Sequence, residues 1–212
     1  MKFDEGWVNF FSQELPKGYF KSVAETVQNQ RTEGRKVYPT PGHIFEAFVQ
    51  SPFADLKAVI VGGDPYSAEG HATGLAYSQP AGVPPSTEIR NIYKELNNSI
   101  STNVPVNPDL TSWSKSGILL LNNVLTVETG KPKSHRDLGW EQFTQNCLKF
   151  ISDNKQDRVI FALWGTGAHK HAPFIDRKKH TVLKASDPAA GANGFYGCGH
   201  FIHINQVTRL WE

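Results

Sequence analysis

The sequence predicts an α/β fold, three layers deep, with a short and mainly parallel central sheet between helices. Continuous apolar runs occur at Ala58–Val61 (AVIV), Gly117–Asn123 (GILLLNN) and Arg158–Trp164 (RVIFALW). Runs without polar alternation mark strands buried on both faces, as in parallel sheets. Segments of helical spacing separate them. The first and third runs are followed by Gly62 and Gly165 and the second ends in Asn122-Asn123, residues that let the chain turn out of a sheet.

Taken in order, Glu5–Glu14 and Tyr19–Arg31 have helical spacing, with Trp7, Phe10 and Phe11 on one apolar side and Phe20, Val23 and Val27 on another. Tyr38–Gly42 (YPTPG) reads as a turn and Ile44–Gln50 as a short helix. Leu56–Val61 is the first buried strand. Pro84 and Pro85 close a loop before Ser86, an N-cap residue for a helix reaching about Asn97. Gly117–Asn123 is the second strand, and Leu138–Asp153 is a helix with Trp140, Phe143, Cys147, Phe150 and Ile151 at helical spacing. Arg158–Trp164 is the third strand, turned by Gly165-Thr166-Gly167 into another helix, and Thr181–Ala185 is the fourth. In open α/β sheets ligands bind beyond the carboxyl ends of the strands, so Gly62, Asn122, Gly165 and Ser186 are expected to converge on one edge.

The chain has 212 residues, enough to bury the core of one domain spanning 1–212, with no repeat or low-complexity tract. A net charge of +2 does not announce a nucleic-acid binder, so such a role would rest on local patches, Lys131–Arg136 (KPKSHR) and Arg177–His180 (RKKH). The two cysteines, Cys147 and Cys198, form no CxxC pair and cannot supply a four-thiolate cluster. Reduced thiols in a cytoplasmic compartment are expected, or in a nucleus or mitochondrion in a eukaryotic host. The N-terminus, MKFDEGWVNF, lacks the apolar core of a signal peptide, and no run is long enough for a membrane span. His169 and His171 stand in an HxH spacing that faces different sides of a helix, a weak metal signal, and no metal or cofactor is expected.

The chemistry concentrates in Gly62–Ser78 (GGDPYSAEGHATGLAYS), where a strand end delivers Asp64 beside Pro65 and Tyr66. With it come Pro84-Pro85-Ser86 leading into Asn91–Leu96, LLLNNVLTV (Leu119–Val127) with SHRDLGWEQFT (Ser134–Thr144), and Trp164-Gly165 with Ile175-Asp176-Arg177 and GFYGCGHF (Gly194–Phe201). In these blocks and their order the chain resembles the family-1 uracil-DNA glycosylases over nearly its whole length. Their pattern for the first block is GQDPYH, two variable residues, GQAHGL, one variable residue and FS. The resemblance implies an enzyme that flips uracil out of DNA and hydrolyses its N-glycosidic bond, leaving an abasic site in DNA repair. It implies single- or double-stranded uracil-containing DNA as partner, a monomer, no membrane association, and a proteinaceous glycosylase inhibitor as a further partner.

Carried residue by residue, the resemblance makes Asp64 the carboxylate that stabilises the sugar cation and positions water; alone it would read as a turn-capping Asp. Asn122 becomes the reader of the uracil edge, with Asn123 its rival should the register shift by one. Tyr66 becomes the wall against the thymine methyl, Tyr77 takes the place of a Phe that stacks on uracil, and the Gly63 N–H is a donor near the base. Ser86, Ser134 and His135 become phosphate contacts, against plainer readings as an N-cap, a loop hydroxyl and a surface histidine.

The departures are as informative as the matches. The family's closing loop reads HPSPLS, whereas Asp187–Ala192 reads DPAAGA. Asp187 stands where an imidazole would donate to uracil O2, and Gly191 where a Leu would wedge into the vacated stack. Asp187 is then a protonated acid, a misdirected carboxylate or a brake on the chemistry. His71 is a candidate substitute donor, or a residue behind the pocket. Slow release or a preference for single strands follows, and a uracil-DNA binding protein with little catalysis is the alternative.

Overall fold

The computed structural model describes residues 2–102 and 107–211. The elements run α1 (Glu5–Glu14), α2 (Gly18–Thr32), β1 (Val37–Tyr38), α3 (Glu46–Gln50), β2 (Ala58–Gly62), α4 (Thr87–Ile100), α5 (Thr111–Lys115), β3 (Ile118–Asn122), β4 (Val127–Glu128), α6 (Trp140–Asn154), β5 (Ile160–Trp164), α7 (Thr166–His169), β6 (Thr181–Ala185) and α8 (His200–Thr208). The four apolar strands form one parallel sheet in the order β3-β2-β5-β6. Every residue of β2, β3 and β5 is buried, which is why these segments carry no polar alternation. From β2 the chain leaves to one side for β3 and returns to the other for β5 and β6. The crevice between β2 and β5 is therefore the switch point of the sheet.

The flanking helices gather their rings in two groups. Phe10 and Phe11 of α1, Phe20 of α2, Phe48 of α3 and Trp140 and Phe143 of α6 form one. Trp113 of α5, Phe201 of α8 and Trp211 form the other, reaching Trp164 at the end of β5. The apolar spacings of the first helices and of α6 are thus core faces, with Trp7, Phe10, Val23, Cys147 and Ile151 nearly inaccessible.

β1 and β4 pair as an antiparallel ribbon of two residues each, which no sequence signal announced. α5 and α8 were likewise not expected. The first and third sheet strands begin at Ala58 and Ile160, later than the Leu56 and Arg158 expected, and β2 extends through Gly62.

Gly74 turns the chain toward the cleft at φ +88°, where an added Cβ would lie 1.9 Å from the His43 carbonyl oxygen. Neither the dihedral nor the space admits a side chain. Gly74→Ala is expected to cost about 3 kcal/mol or more in urea unfolding. Gly42→Ala, with nothing within 4 Å of its Cβ position, should stay within about 1 kcal/mol. Equal midpoints for the two variants would contradict this reading of the turn.

Candidate active site

The carboxyl ends of β2, β3, β5 and β6 open onto one cleft of about 1200 Å³, lined by Gly63, Asp64, Tyr66, Tyr77, Asn122 and Asp187 among others. The expected convergence of strand ends is therefore present. Pairing continues past the strands, since Asn123 N–H donates to Gly62 O at 3.0 Å and Val124 N–H to Gly63 O at 3.1 Å. The loop that carries Asp64 is thereby tied to the one that carries Asn122.

Asn122 is 5% exposed, opposite Gly62 in the β2–β3 register. The Thr144 hydroxyl meets its carbonyl and that of Asn123, at 3.2 and 3.1 Å. The Asn123 amide is engaged: its Oδ1 lies 2.6 Å from Nε2 of His171. Burial lowers the His171 pKa to about 4, so the ring is neutral and donates that proton. The Asn122 amide forms no hydrogen bond among the described residues, and of the two asparagines it is the one free to read a ligand edge.

Two tyrosines wall the cleft. The Tyr66 hydroxyl donates to Tyr77 O at 3.0 Å and lies 2.8 Å from Ser86 Oγ, which also caps α4 by accepting from Ile89 N–H at 3.2 Å. With the phenol proton used toward Tyr77, the Ser86 hydroxyl is the donor to Tyr66. Tyr77 adopts φ +65°, a costly conformation for a residue with a side chain. It sets the ring against Gly62, where a Cβ would come within 3.0 Å of it, and beside Trp164 with centroids 5.5 Å apart. The Tyr77 hydroxyl is buried without a well-formed hydrogen bond, and Asp187 is the strongest charged influence on it.

Asp187 precedes a short 3-10 turn, Pro188–Ala190, and its Oδ1 accepts from Ala189 N–H at 2.9 Å. Burial raises its pKa, and the carboxylates of Glu88 and Asp64 push the same way; the Ala189 N–H opposes them. Gly191 is enclosed at φ +50°, and its Cβ position would lie 3.3 Å from Asn91 Nδ2. Among the described residues the large exposed apolar side chains are Val8, Leu15, Phe174 and Ile202, none of which lines the cleft.

Asp64 is not solitary. Arg136 Nε lies 3.1 Å from both of its oxygens and Nη2 lies 2.5 Å from Oδ2. Lys133 and Lys170 join Arg136 on the lining, so KPKSHR borders the cleft, while no residue of Arg177–His180 lines it.

One expectation needs correction, and two further residues take their places outside the pocket floor. His135 is no surface residue: it is 0% exposed, with Nδ1 2.7 Å from Thr126 Oγ1, and cannot reach a phosphate from there. Instead it anchors the exposed loop on either side of it. Ser134 is exposed, with its Oγ accepting from Glu128 N–H at 2.9 Å. His71 lies behind the cleft, its Nδ1 3.0 Å from Gln79 Nε2, and the Gln79 Oε1 in turn accepts from Ser86 N–H at 2.7 Å. This is the place expected of a residue behind the pocket rather than of a donor to the base.

Comparison with known proteins gives a consistent result. The Uracil DNA glycosylase superfamily matches residues 48–207. The chain is 42% identical over 204 residues to a uracil-DNA glycosylase of Borrelia duttonii, covering 95% of this chain and 91% of that one. It is 43% identical over 206 residues to the corresponding protein of Aliarcobacter butzleri, covering 96% and 95%. Among solved structures, the mimivirus uracil-DNA glycosylase superposes with a TM-score of 0.82 at 29% identity, over 88% of this chain and 69% of that one. A mimivirus variant solved in complex with UGI matches to the same degree, with a TM-score of 0.82, 29% identity and coverage of 88% and 70%.

Proposed function

The chain belongs to the uracil-DNA glycosylase superfamily, whose excision of uracil from DNA is its activity, and on that premise we propose how its cleft does the work. The observation that carries the assignment is the meeting of a free Asn122 amide, two aromatic walls and Asp64 in one cleft at the sheet's switch point. A flipped uracil is read by the Asn122 amide, which offers a donor and an acceptor to the base edge. Tyr77 stacks on its face and Tyr66 stands against C5, where a thymine methyl would clash.

As the C1′–N1 bond breaks, its electron pair leaves with uracil and positive charge grows on the sugar. Asp64 faces that cation and orients the water whose oxygen bonds to C1′. The water's proton is released, and an abasic sugar remains. The Gly63 N–H serves the departing anion near O2. Asp187 lines the same cleft and opposes that anion whenever it is ionised, which slows release.

Ser86, Ser134, Lys133 and Lys170 are proposed to hold the flanking phosphates, which fix register without reading sequence. Ser86 would have to give up its bond to Tyr66 to donate there. The protein is proposed to act as a monomer in a reducing, cytoplasmic compartment, in keeping with the free thiols of Cys147 and Cys198. A proteinaceous inhibitor of the UGI kind would compete for the same cleft.

With Gly191 enclosed and only small side chains on its loop, nothing fills the gap that a flipped base leaves in a duplex. Single-turnover release from matched strands carrying one uracil is expected to be at least about tenfold faster from single-stranded than from double-stranded DNA. Equal rates on the two would contradict the missing wedge.

A further inference from the structure

The bidentate pairing of Arg136 with Asp64 is unexpected for a carboxylate that must face a sugar cation. A guanidinium on both oxygens offsets the charge that the sugar cation is to meet. The pair is nonetheless built to open. The Arg136 side chain is 46% exposed, against 13% for Asp64. Its backbone is held while the side chain reaches solvent: His135 is buried beside it, and Lys133 and Asp137 bracket the turn at φ +68° and +62°. The other charges acting on the guanidinium are the carboxylates of Glu141 and Asp137. A DNA phosphate offers a pair of anionic oxygens, as a carboxylate does, and arginine binds both in a forked, bidentate geometry.

Resting on the reading of Asp64 given above, we infer that Arg136 is an exchangeable cap. It covers Asp64 in the free protein and moves to a phosphate flanking the flipped nucleotide when DNA is bound. Arg136 is thus a positioning residue, acting on the chemistry through Asp64. The uncapped anion then exists only with a strand in the cleft, and the repulsion between Asp64 and incoming phosphates is masked until that moment.

The test uses single-stranded DNA carrying one uracil whose two flanking phosphates are either normal or replaced by uncharged methylphosphonates. Single-turnover rates are measured at saturating protein for the wild type, Arg136→Gln, Arg136→Lys and Asp64→Asn. In the wild type the neutral linkages leave Arg136 on Asp64, and the saturated rate should fall by at least about tenfold. In Arg136→Gln the penalty should shrink to about twofold, because no cap needs drawing off. On the methylphosphonate strand the variant should then be the faster protein. Arg136→Lys, which keeps the charge, should recover much of the penalty. Equal penalties in wild type and Arg136→Gln would overturn the exchange, since contacts by Lys133 or Ser134 weigh on both alike. Uracil release by Asp64→Asn at the wild-type rate would instead overturn the Asp64 assignment on which the cap depends.

Discussion

Replacing Asp64 with Asn should lower single-turnover uracil release from single-stranded DNA by about a thousandfold or more. The substitution keeps the shape of the side chain and removes its charge. A unit charge about 4 Å from a developing cation, at an effective dielectric near 20, contributes about 4 kcal/mol. That corresponds to about three decades in rate. The cost to the fold should be small, because the ion pair that is lost joins Asp64 to a half-exposed arginine. Thermal unfolding and binding of uracil-containing DNA should therefore stay close to wild type while release collapses. Release that survived the substitution within tenfold would remove Asp64 from the chemistry.

Asp187→Asn should act in the opposite direction. The same arithmetic now describes a carboxylate facing an anion, the departing uracil, so neutralising it should accelerate release at pH 8. The gain has an upper bound of about a thousandfold and is expected to be at least tenfold, because the Ala189 N–H already offsets part of the charge. The pH dependence follows with a definite sign. Burial raises the Asp187 pKa above its ordinary 3.8, so the carboxyl takes up its proton earlier than an exposed Asp as pH falls. The wild-type rate should climb as pH drops from 8 toward that raised pKa. In Asp187→Asn that climb should be absent. Slower release by the Asn variant at pH 8 would show that Asp187 assists the leaving group as an acid.

These two carboxylates illustrate what the sequence makes legible. Asp64 and Tyr66 follow β2, Asn122 closes β3 and Asp187 follows β6, and the parallel sheet brings such ends together. The apolar runs that became β2, β3 and β5 were plain because a strand buried on both faces has no polar positions to confuse its pattern. The helix bounds of α1 were equally plain, with Asp4 accepting from Trp7 N–H as its cap.

What could not be read depends on residues distant in sequence or on segments too short to show a period. Arg136 reaches back 72 positions to Asp64, and nothing in KPKSHR distinguishes that arginine from its neighbours. His135, set among Lys, Ser and Arg, reads as surface; it is buried because Thr126 meets both its ring and the Trp140 indole N–H, at 2.7 Å each. The two-residue strands β1 and β4 carry too little pattern to be seen at all. The proximity of Tyr77 and Asp187 was also hidden. Two departures from the family pattern, a Phe become Tyr and a His become Asp, prove to be neighbours in one cleft, so a buried phenol now faces the carboxyl that replaced an imidazole.

A cleft that both selects uracil and breaks its glycosidic bond must set the free base loose. The most direct measurement is free base released, per strand, by purified protein in excess over single-stranded DNA carrying one uracil, with thymine and cytosine strands in parallel. One equivalent of free uracil is expected, with a matching abasic site that breaks in hot alkali, and no base from the other strands. Tight, uracil-selective binding with no base released would contradict it.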